Sequence, residues 1–274
     1  KRDTKAGSII TQYDGHITPD LGMLKMDFLG LKNLDIINAA CRNIKKRHGI
    51  DINPSDIPLN DEASFALMNR GDMDGLFQVE SPLYVGLFHR LPPKRFSDVV
   101  ASIALNRPGP LESGMVDDYV EVASGRREPS YYDDRLKEIL EETFGTIVYQ
   151  EQIMQISMKM SGFSAGRADV LRKAMGKKKK DVMDSLKIEW EEGAVANGYE
   201  LSIAQQIWSD AEKFAKYAFN KSHSAAYAVI VMRTAYLKAH YPEEFMAAVL
   251  TINMKNNDSL MRYVNSAKKS GIKL

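Results

Sequence analysis

The sequence predicts a mainly α fold: a multi-helix body preceded by a short strand-containing segment at the N-terminus. Three observations predict it. Apolar residues recur at helical spacing in most segments from Leu31 onward, and short loops marked by Gly and Pro separate them. Strand-like alternation is found mainly before Gly30, and no internal repeat recurs. A chain of 274 residues with 44% hydrophobic content can bury real cores.

Taken in order, residues 8–13 and 21–28 read as extended. In the second, Leu24, Met26 and Phe28 alternate with Met23, Lys25 and Asp27, the period of two expected when one face of a strand is buried. Lys25 and Asp27 then share a face, about 7 Å apart. Gly30 breaks the strand. A helix follows over 31–47, with Leu34, Ile37, Asn38, Cys41 and Ile44 at helical spacing and Gly49 beyond its end. A proline-bearing loop leads to a helix over 61–69, capped by Asn60 or Asp61. Residues 75–81 form a short aromatic-bearing segment, and helices follow over 83–90 and 96–104.

Asn106-Arg-Pro-Gly-Pro110 reads as a fixed turn that no helix continues through. Residues 133–143 are helical, and a further helix opening at Tyr149-Gln-Glu-Gln152 runs to Met160, with Ile153, Ile156 and Met160 inward. Its methionines, Met154, Met158 and Met160, read as ordinary core. Helices over 181–197 and 203–217 come next, the second with Ile207, Ala211 and Phe214 on one side. Asn220-Lys-Ser-His223 is a turn in which Ser222 caps a long helix over 223–240 that stops before Pro242. A helix over 243–254 and a partly helical tail to Leu274 complete the chain.

The formal net charge is +1, so affinity for nucleic acid has to come from uneven charge distribution. A single Cys41 excludes an internal disulfide and a thiolate metal cluster, and it suits a reducing compartment; the cytoplasm is the expected location. The longest apolar run, Ala225–Met232, is far shorter than a membrane span, so no membrane partner is expected. The first six residues carry neither an initiating methionine nor a signal-peptide pattern, and the chain reads as a piece of something longer.

The unevenness sits in residues 167–180, Arg-Ala-Asp-Val-Leu-Arg-Lys-Ala-Met-Gly-Lys-Lys-Lys-Lys. Up to Met175 it reads as a helix with Ala168, Leu171 and Met175 on one face and Asp169, Arg172 and Lys173 on the other; Gly176 is expected to end it. Such a cation cluster suits phosphates, because Arg presents a planar fork and Lys a point charge. Taken alone it equally suits a solvated basic loop. A nucleotide-binding P-loop is excluded, because Gly176-Lys177 lacks both the upstream Gly and the following Ser or Thr.

Six segments, in order, closely resemble the bacterial C-family replicative polymerases, the DNA polymerase III alpha type. They are Met26-Asp-Phe-Leu-Gly-Leu31, Gly75-Leu-Phe-Gln-Val-Glu-Ser81, Asn106-Arg-Pro-Gly-Pro110, Val148-Tyr-Gln-Glu-Gln152, Leu171-Arg-Lys-Ala-Met-Gly-Lys177 and Phe219-Asn-Lys-Ser-His-Ser-Ala-Ala-Tyr227. The resemblance implies that residues 1–35 are the C-terminal part of a palm domain and residues 36–274 a helical fingers domain. It implies DNA-directed DNA polymerisation: addition of deoxynucleotides to a primer 3′ hydroxyl, with two Mg²⁺ ions held by three palm aspartates. Asp27 corresponds to one of these. The other two are expected upstream of Lys1, and so this chain alone is expected to be inactive.

By the same resemblance, Arg172 and Lys173 contact the phosphates of the incoming dNTP, although the family often has Arg where Lys173 stands. His223 is similar to the family's nucleotide-contacting histidine, at a helix start where backbone NH groups favour an anion. Lys221, Asn220 and Lys25 are further nucleotide-binding candidates. Arg107, on its proline-locked mount, and Lys177, Lys178, Lys179 and Lys180 are candidates for the primer-template backbone. Gln78, Ser81, Gln150 and Gln152 are motif residues without an assignable partner. The expected protein partners are the sliding clamp, clamp loader and proofreading components of a replicase. From a different class, a non-catalytic helical module gripping nucleic-acid backbone would account for the basic stretch alone, and would bind with a steep salt dependence and no response to Mg²⁺.

Overall fold

The computed structural model describes residues 7–26, 30–177, 180–214 and 218–274, and only the backbone of Gly176, Lys177, Lys180, Lys213 and Phe214. It divides into two units, Lys1–Lys32 and Asn33–Leu274. In the first, residues 14–22 form a run of turns: the Asp14 carboxylate accepts from His16 N at 2.8 Å, and Met23 N donates to Thr18 O at 3.1 Å. No strand occurs among the described residues: of the two expected segments, 8–13 shows an isolated bridge at Ile9, and residues 27 and 28 of the other lie outside the described residues. Alternation makes a strand only where a neighbouring strand pairs with it. Within this unit Leu24 and Met26 on one face, and Met23 on the other, all stand exposed.

The second unit is helical. Its α-helices are α1 (Lys32–His48), α2 (Glu62–Asn69), α3 (Pro82–Arg90), α4 (Phe96–Leu105), α5 (Pro108–Glu112), α6 (Met115–Ala123), α7 (Lys137–Leu140), α8 (Gln150–Ser161), α9 (Ala165–Lys177), α10 (Lys180–Ala196), α11 (Leu201–Phe214), α12 (Lys221–His240), α13 (Pro242–Asn253) and α14 (Asn257–Lys269). Four departures from the sequence reading have physical causes. Pro108 starts α5, because a proline is tolerated where the first-turn NH has no partner anyway. The helix expected over 133–143 is three short pieces ended by Phe144 at φ 55°, a left-handed residue that turns the chain. α9 runs through Gly176 instead of stopping there. The cap of α12 is Asn220, whose side chain accepts from His223 N, so the helix begins two residues before the position Ser222 would have set. The sequence reading also missed α6 altogether, although Met115, Val116, Tyr119 and Val120 recur at helical spacing.

One core lies among α8, α9, α10 and α11. Ile153, Ile156 and Met160 meet Leu171 and Met175, and the Trp190 and Trp208 rings pack edge to face at 5.6 Å. Trp190 Nε1 is satisfied by Ala204 O at 2.9 Å. α8 and α10 cross closely at Gly193, where an added Cβ would fall 2.2 Å from Ser161 O. A second core forms around α12, which packs on α2 and α4 and buries Ala228, Val231, Met232 and Ala235. Lys238 is only 3% exposed, yet its three ammonium donors all find oxygen: Asp72 Oδ1 at 2.6 Å, Asp74 O at 2.8 Å and Asp72 O at 3.1 Å. α1 docks on α13 through Arg47 and His48, which both reach Glu244 at 2.9 Å.

Candidate functional site

A short clasp links the two cores. Tyr149, just before α8, and Phe219, just before α12, form a parallel bridge in which Gln150 N donates to Phe219 O at 3.0 Å and Phe219 N to Val148 O at 3.1 Å. The N-termini of α8 and α12 therefore start side by side. Gln152 holds the α8 side: its Oε1 accepts from Val148 N and Tyr149 N, each at 2.9 Å, while Nε2 donates to Thr143 Oγ1 at 2.7 Å and Ile139 O at 3.1 Å. All four hydrogen-bonding capacities of this buried amide are used. Asn220 holds the α12 side by capping His223 N at 2.8 Å.

Cations collect around this clasp. Lys221 N donates to both oxygens of Glu151 at 2.9 and 3.1 Å, its ammonium pairs with Glu142, and it lies 5.5 Å from the centre of the Tyr149 ring. The Tyr149 hydroxyl is buried without a hydrogen-bond partner. Burial, together with Tyr119, Glu142, Glu151 and Asp98 nearby, pushes that phenol far above its usual range. From α9, Arg172 uses Nε and Nη2 on Asp169 Oδ1 at 2.9 and 2.7 Å, and reaches Gln150 Oε1 with Nη1 at 3.3 Å. Lys173 takes the other Asp169 oxygen at 2.7 Å. Hydrogen bonds from Lys173 and then Arg172 hold the Asp169 carboxyl below its ordinary value. Gln150 Nε2 donates to Ala218 O at 3.3 Å, so one amide links the basic helix to the lead-in of α12.

An aromatic stack continues from the clasp. The His223 ring lies 5.4 Å from Phe219 and 4.1 Å from Tyr227, and Tyr227 meets Phe77 at 5.0 Å. The Arg107 guanidinium also sits 4.3 Å from the centre of the Phe219 ring, with Nε donating to Ala104 O at 2.8 Å. Burial lowers the pKa of that guanidinium. Gln78 takes φ 64°, an uncommon backbone for a residue with a side chain, and interacts with Tyr84 close to Asn106 and Arg107.

Arg172, Lys173, Lys221, Asn220, His223 and Arg107 are thus drawn together by the Tyr149–Phe219 clasp. Lys25 belongs to the other unit and is exposed. Asp27, Lys178 and Lys179 lie outside the described residues, as do the side chains of Lys177 and Lys180. Sequence reasoning missed Glu142, Glu151, Phe219 and the supporting role of Gln150. Only Asp169 carried a local signal, its three- and four-residue spacing from Arg172 and Lys173. Chemically, cations held by Asp169, Gln150 and Glu142 can meet phosphate oxygens. No group of three or more His, Cys, Asp or Glu that could hold a metal occurs among the described residues, and no helix among them is long and apolar enough to cross a membrane.

Residues 33–198 match the family described as bacterial DNA polymerase III alpha subunit finger domain. The chain is 47% identical over 266 residues to the DNA polymerase III subunit alpha of Campylobacter jejuni, covering 97% of this chain and 22% of that protein. It is 47% identical over 270 residues to the Aquifex aeolicus subunit, covering 98% and 23%. Against the Escherichia coli K12 subunit it is 45% identical over 274 residues, covering 97% and 24%. The chain spans about a quarter of the length of these curated relatives. It belongs to the bacterial DNA polymerase III alpha subunit family, and carries that family's finger domain.

Proposed function

We propose that this chain is the nucleotide-binding part of a replicative DNA-directed DNA polymerase, and that the cations at the Tyr149–Phe219 clasp receive the triphosphate of the incoming dNTP. The observation that carries the reading is the convergence of Arg172 and His223: Arg172 meets Gln150, Gln150 N bonds to Phe219 O, and the His223 ring packs on Phe219. Nucleotidyl transfer builds negative charge on the leaving pyrophosphate. Cations already fixed by Asp169, Gln150 and Glu142 stabilise that charge without reorganising during the reaction. His223 supplies a ring nitrogen at the start of α12, and Tyr227 behind it sets the ring plane. Arg107 is assigned to the primer-template backbone beside the triphosphate.

Magnesium belongs to the chemistry of such an enzyme, but the described residues do not fit a metal seat. Asp27 stays the proposed ligand. The clamp, clamp loader and proofreading components are proposed partners of the whole enzyme.

The test is steady-state kinetics of the full-length enzyme carrying Arg172→Ala or His223→Ala. Each is expected to raise KM for dNTP or lower kcat/KM by about tenfold to a hundredfold, with primer-template affinity changed less than about threefold. An equal loss of both affinities would move Arg172 to the DNA surface and favour the simple backbone-binding module.

A further inference from the structure

Resting on the reading of Arg172 as a triphosphate contact, we infer that Asp169 is a positioning residue for that contact. The carboxylate fixes one edge of the Arg172 guanidinium and leaves the Nη1 side for a phosphate oxygen. Asp169 Oδ1 takes both Nε and Nη2 of Arg172, at 2.9 and 2.7 Å. A guanidinium gripped along that edge cannot rotate about its own axis without breaking both bonds, so the third nitrogen has a fixed heading. That heading is toward Gln150 Oε1, at the N-terminus of α8, at 3.3 Å.

The two contacts differ in kind. Asp169 holds Arg172 with a charged acceptor through two short bonds. Gln150 holds it with a neutral acceptor through one long bond, and has a second attachment of its own to Ala218 O at 3.3 Å. An incoming phosphate oxygen is anionic and outcompetes an amide oxygen for Nη1. Arg172 therefore exchanges Gln150 for phosphate and keeps Asp169. The other Asp169 oxygen holds Lys173 at 2.7 Å, so both cations of the helix face share one anchor. The groups facing Asp169 are Arg172 and Lys173 on its own helix, with Gln150 of α8 reaching it through Arg172.

The alternative is a carboxylate that only neutralises its neighbours and competes with phosphate, and it predicts the opposite sign. Removing a mere competitor raises the positive potential and tightens dNTP binding. Removing an anchor frees the guanidinium and weakens it. The experiment uses the full-length enzyme with Asp169→Ala, Asp169→Asn and Arg172→Ala, and reads KM for dNTP, kcat and primer-template affinity for each.

Expected is a KM for dNTP raised by about tenfold in Asp169→Ala, with partial rescue in Asp169→Asn because its amide oxygen still accepts from Arg172, and DNA affinity unchanged within about twofold. A KM equal to or below that of the wild type in Asp169→Ala, while Arg172→Ala raises it, overturns the positioning role and leaves the reading of the site intact. An unchanged KM in Arg172→Ala overturns the reading of the site itself. Should Asp169→Ala not fold, the isosteric Asp169→Asn decides, since an unaltered or lowered KM in that variant equally overturns the inference.

Discussion

At the scale of single residues, the site depends on side chains that satisfy several buried groups at once. Gln152 stood in a recognisable motif, yet its four partners, Val148 N, Tyr149 N, Thr143 Oγ1 and Ile139 O, emerge only in the fold. Replacing it with Leu leaves these buried groups unpaired, at a cost of about 2–4 kcal/mol in urea unfolding. The close approach at Gly193 gives a cleaner contrast. Gly193→Ala places a methyl against Ser161 O and is expected to cost about 1–3 kcal/mol, whereas Gly166→Ala, where nothing lies within 4 Å, is expected to be neutral or stabilising by under about 1 kcal/mol. The buried faces of the basic helix were legible, because Ala168, Leu171 and Met175 recur at a period that only one face of a helix can satisfy. Phe219 and Glu142 were not. Nothing local distinguishes a phenylalanine that props a histidine from one that fills a core.

At the scale of elements, the sequence located the helix interiors well and their ends less well. α8 and α12 were read to within two residues, since long apolar periodicity survives tertiary packing. α5, α6 and the broken helix before Phe144 were misjudged because their ends are set by φ, by Pro108 and by neighbours, all of which periodicity ignores. Helix junctions also carry a pH dependence. Glu244 joins α13 to α1: burial pushes its carboxyl up, but its backbone hydrogen bond, His48 and Arg47 outweigh that and hold it below 4.5. Asp61 joins α2 to α12: burial again opposes, and Ser64 and His240 bring it below 3.8. A carboxyl with a lowered folded pKa stabilises the fold above its unfolded value, and that contribution fades as pH falls through the folded value. Thermal stability is therefore expected to fall below about pH 4.5, and Glu244→Gln together with Asp61→Asn should flatten the acid limb. An unchanged acid limb in the double variant would show that other carboxylates control it.

At the scale of the whole molecule, helical class and family were both readable, for separate reasons. Class followed from periodicity, which packing preserves. Family followed from six short segments, and the structure shows four of them converging: residues 106–110, 148–152, 171–177 and 219–227 all contribute to the clasp or its cations. No strand is assigned at residues 23–26, the described remainder of the alternating segment, and alternation alone supplies no pairing partner. One detail of the second core has a practical use. Lys238 is sealed beneath the Asp72–Asp74 turn with each N–H spoken for. Amine-labelling reagents should pass it over in the native protein and mark it at once when α12 lifts from that turn, making a single tryptic peptide a gauge of whether this half of the molecule is intact.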